Sequence, residues 1–233
     1  MSDQSSIATS LQEIRQRVKS AEAKRGVGKD VRLVAVSKTK PNSDLMEAYD
    51  QGQRHFGENI QELVDKATQL PKDIQWHFIG TLQSNKCKLL ATVSNLWAVE
   101  TIDSQKKADV MSKAWPAEHE PLRVFIQVNT SRESSKSGVK PSECVSVAEH
   151  IATKCQQLKL LGLMTIGSAD RDPEVENPDF KTLVDCKKAV DEKLDLDVEL
   201  SMGMSDDFES AIHSGATNVR VGSSIFGARN YAK

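Results

Sequence analysis

The chain of 233 residues is close in length to the ~250 residues of a complete eight-stranded α/β barrel, and its 38% apolar and 27% charged residues are typical of a globular protein. The net charge is -2, and the absence of a basic stripe with interleaved aromatic residues argues against a nucleic-acid partner. The four cysteines are scattered and the five histidines dispersed, so we predict no metal site and reduced thiols. The N-terminus has no leader pattern and no apolar run is long enough for a membrane span, so we predict a cytoplasmic location.

The first predicted element is a helix, and a buried strand follows it. The helix has one apolar stripe at intervals of three and four residues, made of Ile7, Leu11, Ile14, Val18 and Ala21. The Gly26-Val27-Gly28 segment ends the helix. Residues 31–36 are then almost continuously apolar, which is typical of a strand buried on both faces of a parallel sheet.

From this strand onward, strand and helix patterns alternate. The further predicted strands are 55–57, 75–79, 96–99, 122–128, 159–165, 198–201 and 218–221. The predicted helices are 43–51, 59–68, 85–92, 104–114, 142–157, 178–194 and 206–214. Eight such units favour a closed parallel barrel over an open doubly wound sheet. We therefore predict a single (β/α)8 barrel domain over residues 1–233 with an extra N-terminal helix, and mobile loops at 130–140 and 168–178.

Lys38 is the first candidate for chemistry because it lies two residues beyond the first predicted strand. Sites in (β/α)8 barrels are built at the C-terminal ends of the strands. A lysine that loses solvation there has a lowered amine pKa, and the neutral amine can attack an aldehyde to form an imine. The same segment also fits a pair of surface lysines, Lys38 and Lys40, in a polar loop.

Two later loops have the chemistry of a phosphate site. Ser201-Met202-Gly203-Met204-Ser205 follows the seventh predicted strand, and Gly222-Ser223-Ser224 follows the eighth and opens what could be one helical turn. Barrels commonly hold a phosphate in these two loops, where glycines allow close approach to backbone N–H groups. Each segment alone also fits an ordinary capped turn, so the prediction depends on the pair.

Arg220 lies within the last predicted strand and shares one face with Asn218 and Gly222. An arginine beside a phosphate loop fits a structural ion pair or a ligand role about equally well. Its partner could be a phosphate or a ring nitrogen.

Several long motifs resemble the pyridoxal phosphate homeostasis protein family, over residues 31–227. They are AVSKT at 35–39, FGENIQE at 56–62, WHFIGTLQSNK at 76–86, GLMTIG at 162–167 and LSMGMSD at 200–206. The family's fold is similar to the barrel domain of bacterial alanine racemases but lacks their second, β-rich domain. The resemblance implies a non-catalytic role in which the protein holds pyridoxal 5'-phosphate (PLP), buffers its concentration and passes it to apo-enzymes.

The resemblance also implies a role for each candidate site residue. Lys38 would carry PLP as an imine, and Arg220 would face the pyridine nitrogen, where it weakens the ring as an electron sink. Asn59 would lie against the ring, and Met164 would line the site from the sixth strand. The residues expected around the phosphate are Ser201, Met202, Gly222, Ser223 and Ser224.

Three further residues are left outside this site. His77 fits either a position at the site or buried strand packing. Glu58 and Glu62 are spaced like acids in the first turn of a helix, and we interpret them as capping residues.

Two other functions use parts of the same pattern. A PLP-dependent amino-acid racemase of low activity needs an acid or base on each face of the substrate carbon. In alanine racemases the second group is a tyrosine from the other domain, whereas this chain has only Tyr49 and Tyr231. A class I aldolase-like barrel would explain a lysine and a phosphate site without a cofactor, but not the family motifs. We expect a monomer or weak dimer.

Overall fold

The computed structural model of the chain describes residues 6–168 and 175–228. It contains eight strands: β1 (Arg32–Val36), β2 (His55–Glu58), β3 (Gln75–Phe78), β4 (Leu96–Ile102), β5 (Leu122–Gln127), β6 (Leu158–Met164), β7 (Glu199–Ser201) and β8 (Asn218–Val221). Each strand pairs in parallel with its neighbours in sequence, and β8 pairs with β1. The sheet is therefore a closed eight-stranded barrel, which confirms the predicted fold.

The helices of the described residues alternate with the strands. They are α1 (Ile7–Arg25), α2 (Asn42–Asp50), α3 (Ile60–Gln69), α4 (Cys87–Leu90), α5 (Gln105–Ala114), α6 (Cys144–Lys154), α7 (Pro178–Leu194), α8 (Phe208–His213) and α9 (Ser223–Phe226). Short 3-10 turns, Ser84–Lys86 and Pro141–Glu143, precede α4 and α6. The predicted extra helix is α1, which follows the N-cap Ser6. It buries Leu11, Ile14, Val18 and Ala21 of the predicted stripe, and Ile7 is partly buried. None of the described helices combines the length and apolarity that a membrane crossing requires.

Two predicted elements differ from the observed ones by three residues at their C-terminal ends, and the other element bounds differ by at most two residues. The strand predicted at 96–99 continues to Ile102 in the structure. The prediction ended too early because Glu100 and Thr101 are polar and interrupt the apolar run, although both side chains are buried. The helix predicted at 142–157 ends at Lys154, and Cys155 is its C-cap. Sequence periodicity underestimates a strand wherever a polar side chain finds a partner inside the barrel.

The two stretches predicted as mobile loops are polar and irregular in their described parts. In 130–140, Lys136 donates to the carbonyl of Gly167 at 2.8 Å, and Val139 forms an isolated bridge with Val128. Residues 169–174 of the second stretch lie outside the described part of the chain.

The apolar core lies mainly between the strands and the surrounding helices, where Phe56, Trp76 and Phe78 are among the largest buried side chains. A second, small apolar cluster of Ala98, Phe125 and Met164 is separate from this core. The barrel interior also contains charged and polar side chains, so it differs from the layers of branched aliphatic residues that usually fill such a barrel.

Gly162 in β6 permits the close approach of the two strands that flank β6, which are β5 and β7. A Cβ atom at this position would lie 2.5 Å from the carbonyl oxygen of Glu199 and 2.6 Å from a ring carbon of Phe125. We expect Gly162→Ala to lower the free energy of unfolding by about 1–3 kcal/mol, as measured by urea denaturation. Gly28→Ala is the control, because its Cβ would meet only the flexible end of Arg25, and its loss should stay within about 0.5 kcal/mol. Equal losses in the two variants would contradict this interpretation.

Candidate functional site

Lys38 lies in a tight turn directly after β1, at the C-terminal mouth of the barrel, and its side chain is half-buried. The backbone N–H of Lys40 donates to the carbonyl of Ser37 at 3.1 Å and closes the turn. Thr39 has a φ of 65°. This left-handed conformation is uncommon for a β-branched residue and costs on the order of 1–3 kcal/mol, so neighbouring contacts must hold it.

A largely buried group of polar and charged side chains, which we call the lysine-loop clamp, supplies those contacts. It consists of Ser37, Glu58, Glu62 and Lys66. The Lys66 ammonium donates to Glu58 at 2.5 Å, to Glu62 at 2.9 Å and to the Ser37 carbonyl at 2.9 Å. The Ser37 hydroxyl donates to Glu58 at 2.7 Å, and the N–H of Thr39 donates to Glu62 at 2.8 Å. The clamp therefore fixes the residue on each side of Lys38.

The interpretation of Glu58 as a helix cap is wrong. Glu58 ends β2, is fully buried and forms an ion pair with Lys66, whereas Asn59 is the N-cap of α3. Burial raises the pKa of Glu58, although Lys66 opposes the shift. Glu62 does lie in the first turn of α3, but its carboxylate contacts Thr39 and Lys66. Sequence spacing missed the clamp because its members come from β2, α3 and the loop after β1.

The loops after β7 and β8 converge beside the end of β1. The N–H groups of Gly222 and Ser224 both point at the hydroxyl oxygen of Ser205, at 3.3 and 3.4 Å. Gly222 is close to β1, because a Cβ atom there would lie 3.1 Å from the carbonyl oxygen of Val36. Ser205, which is not among the residues predicted around the phosphate, therefore accepts from two N–H groups at the start of α9.

The residues predicted around the phosphate differ from one another in burial and in their hydrogen-bond partners. Ser223 is exposed and Ser224 half-buried at the start of α9. Met202 is fully buried in the main core, and its N–H donates to the carbonyl of Asn218. The hydroxyl of Ser201 donates its single proton to Glu100 at 2.5 Å, which leaves none for a phosphate oxygen.

Arg220 lies in β8 and is almost completely buried, with 5% exposure. One guanidinium nitrogen donates to the Ser201 hydroxyl at 2.6 Å, and the other donates to the Thr165 carbonyl at 2.9 Å. Burial lowers the pKa of Arg220, while the charges of Glu100 and Asp207 oppose the shift. Arginine remains protonated in proteins, so a fixed cation is held next to the end of β6.

The interior polar network, which consists of His55, His77, Glu100, Ser201 and Asn218, lies below Arg220. Glu100 accepts from His77 Nδ1 at 2.6 Å and from Asn218 at 3.2 Å, and His77 Nε2 contacts His55 Nδ1 at 2.9 Å. Burial lowers the pKa of His77, and burial together with His77 lowers the pKa of His55 to about 3. Burial works against the charged form of Glu100, but hydrogen bonds and Arg220 outweigh it and lower its pKa. The surroundings therefore favour the neutral form of the two histidines and the carboxylate form of Glu100.

The remaining predicted residues lie near this mouth. Asn59 is the half-buried N-cap of α3 and neighbours Gly80. Met164 ends β6, and its side chain packs with Ala98 and Phe125. Their contacts with a cofactor ring stay predictions. His77, for which the sequence left two interpretations, faces the barrel interior as part of the polar network.

A group of potential metal ligands lies away from the mouth, between α5 and α6. The ligand atoms of Asp109, His150 and Cys155 lie within 4.8 Å of one another. Asp109 contacts His150 Nε2 at 2.7 Å and accepts from the Cys155 thiol at 3.7 Å. Burial, helped by Asp109, raises the pKa of Cys155 to about 11, so the thiol keeps its proton. The Asp109 carboxylate therefore provides a hydrogen-bond partner for both His150 and Cys155.

The mouth of the barrel carries groups with the chemistry to bind an aldehyde and an anion. It combines a lysine amine, two backbone N–H groups directed at one oxygen and a buried cation fixed between β6 and β7. The closed parallel barrel is of the alanine racemase type. Residues 9–230 match the family described as alanine racemase, N-terminal domain.

Comparisons with named relatives give a narrower assignment. A Schizosaccharomyces pombe protein named pyridoxal phosphate homeostasis protein is 50% identical over 204 residues, which cover 87% of this chain and 86% of the relative. The human protein of the same name is 46% identical over 250 residues and is matched over 90% of its length by the whole of this chain. The chain belongs to the pyridoxal phosphate homeostasis protein family.

A solved structure supports the same assignment. PipY of Synechococcus elongatus, with PLP bound, matches with a TM-score of 0.80 at 30% identity, and the match covers 95% of this chain and 100% of that one.

Proposed function

We propose that this protein binds PLP through an imine to Lys38 and serves in PLP homeostasis as a carrier or regulator of the cofactor, not as an enzyme. The observation that carries the proposal is the placement of Lys38. A buried clamp fixes its loop at the barrel mouth, next to two N–H groups that converge on one oxygen position. The names of the relatives and the PLP-bound PipY structure support the same ligand.

In the proposed reaction, the neutral amine of Lys38 adds to the aldehyde carbon, and one water leaves as the C=N bond forms. The cofactor supplies the aldehyde, the phosphate and an electron-withdrawing ring. Gly222 and Ser224 offer N–H groups to the phosphate in place of the Ser205 oxygen. Arg220 presents a cation to the ring nitrogen. Because a cation there disfavours protonation of the nitrogen, the ring is a weak electron sink, which suits storage better than catalysis.

The position of Tyr49 supports the non-catalytic proposal over the racemase alternative. The hydroxyl of Tyr49 on α2 donates to Asp73 at 2.7 Å, and its ring stacks against Arg54. This outer-layer position is unsuited to deliver a proton at the barrel mouth. Tyr231 lies outside the described residues. Exchange of the α-proton of alanine with solvent deuterium, catalysed by the purified protein, would favour a racemase.

The wider role is part of the same proposal. A cytoplasmic protein that releases intact PLP to apo-enzymes needs a reversible covalent bond and no membrane anchor. We expect it to act as a monomer or weak dimer. A stable tetramer at micromolar concentration in light scattering would contradict this expectation.

The absorption spectrum of the PLP-loaded protein, followed by borohydride reduction and peptide mass mapping, tests the proposal. We expect a yellow protein whose visible band disappears on reduction, with the phosphopyridoxyl mass on Lys38. Pyridoxal, which lacks the phosphate, is the matched control. It should bind at least about tenfold more weakly, because it leaves the N–H groups after β8 without an anion. A colourless protein that takes up no PLP would overturn the proposal.

A further inference from the structure

Glu100 is a fully buried carboxylate in β4 that binding through Lys38 does not require. All of its neighbours in the interior polar network direct protons at it: His77, Ser201 and Asn218. A buried carboxylate is costly unless it is hydrogen-bonded and balanced by a nearby positive charge. A permanent cation that donates to Ser201 at 2.6 Å lies close enough to Glu100 to contribute to that balance.

Arg220 is that cation. It forms no direct ion pair within residues 6–168 and 175–228, and its buried guanidinium is held by two neutral oxygens, the Ser201 hydroxyl and the Thr165 carbonyl. Ser201 lies between the two charges, at 2.6 Å from Arg220 and 2.5 Å from Glu100. Glu100 and Arg220 therefore form an ion pair bridged by one hydroxyl group.

The direction of the Ser201 hydroxyl depends on Glu100. A serine hydroxyl has one proton and two lone pairs. Because Glu100 takes the proton, the lone pairs are left to accept from Arg220 and from Asn218, which donates at 3.0 Å. An amide at position 100 can donate to Ser201 itself. The serine proton would then compete with the Arg220 N–H for the same space.

We propose that Glu100 is a positioning residue of the cofactor site, which acts through Ser201 to fix the guanidinium of Arg220 at the mouth of the barrel. This inference rests on the proposed function for its consequence, the hold on the cofactor ring. The fixed guanidinium itself is a property of the apo-protein and can be measured without PLP. The polar network thus has a role at the site in addition to filling the barrel.

The test uses Glu100→Gln and Ser201→Ala in the full chain, with Thr101→Val as the matched control. Thr101 is the next residue of β4, and its buried hydroxyl has no hydrogen-bond partner in the described part of the chain. NMR of the arginine-labelled apo-protein measures rotation of the Arg220 guanidinium, with the signal assigned by Arg220→Lys. We expect rotation to become at least about tenfold faster in both network variants and to stay unchanged in Thr101→Val.

Dissociation of PLP from the loaded protein is the second measurement. Each network variant should release PLP about tenfold faster than the wild type, as expected for loss of one hydrogen bond to a charged group. Glu100→Gln should add nothing in an Arg220→Ala background, because the positioning acts through Arg220. If Glu100 had only a structural role, Glu100→Gln would lower the melting temperature and would change PLP release equally in the wild-type and Arg220→Ala backgrounds.

The outcomes separate the inference from the proposed function. An unchanged Arg220 signal in both variants overturns the inference, whether or not PLP binds. A freed Arg220 in a protein that binds no PLP supports the coupling and places the error in the proposed function. If Glu100→Gln fails to fold, Ser201→Ala decides, because it removes only the bridging hydroxyl.

Discussion

Lys38→Ala should abolish the visible band of the PLP-loaded protein and leave only weak, non-covalent binding. The variant lacks the amine that forms the imine, while the N–H groups of Gly222 and Ser224 can still donate to a phosphate. We expect the dissociation constant to rise on the order of a hundredfold or more, which corresponds to about 3 kcal/mol. Equilibrium dialysis with PLP, together with the absorption spectrum, measures both effects.

Lys40→Ala is the control for this substitution. Lys40 lies in the same loop, but its ammonium donates to the carbonyl of Ala228 at 2.6 Å and not to the clamp. The control should therefore keep the visible band and its dissociation constant within about threefold of the wild type. If the Lys38→Ala protein retains covalent PLP in full, the imine belongs to another lysine, with Lys40 the nearest candidate.

The fold could be predicted because its strands and helices are locally encoded. Buried parallel strands are short apolar runs, and the stripe of α1 follows the helical period. Alternation along β8 also correctly placed Asn218 and Arg220 on one face, since both contact the hydroxyl of Ser201. These signals depend on residues only two to four positions apart.

The candidate site could be predicted only in part, because its support comes from long-range contacts. Glu100 and Ser201 lie 101 residues apart, and nothing in either segment indicates the other. A glutamate after Val99 resembles the end of a strand, so the predicted β4 was too short and its most buried carboxylate was missed. The contact of Ser201 was missed for the same reason, since its hydroxyl donates to a residue from another strand.

The clamp gives a second example of this limit. Glu58 and Lys66 lie on either side of a strand-to-helix boundary, so neither helical nor strand spacing relates them. The FGENIQE motif indicated that the segment matters but not why. In the structure its first glutamate binds Ser37 and Lys66, and its second binds the N–H of Thr39.

Lys66→Met should destabilise the protein by about 3–5 kcal/mol at about pH 8, because it leaves Glu58 buried without its counter-charge. The pKa of Glu58 is already raised by burial, and loss of Lys66 should raise it further. The folded variant then binds a proton that the unfolded chain does not, so its stability falls as the pH rises through the folded pKa. We expect the loss to shrink when urea denaturation is repeated at about pH 5.5, near the ordinary carboxyl range.

Two variants make this prediction specific to the buried pair. Lys193→Met removes an exposed lysine 3.4 Å from Glu149 and should change the free energy of unfolding by less than about 1 kcal/mol. Glu58→Gln combined with Lys66→Met removes both charges and should recover part of the loss, because no unpaired charge remains buried. If Lys66→Met alone is as stable as the Lys193 variant at high pH, then Glu58 has a route to solvent and the clamp does not hold the Lys38 loop through a buried charge.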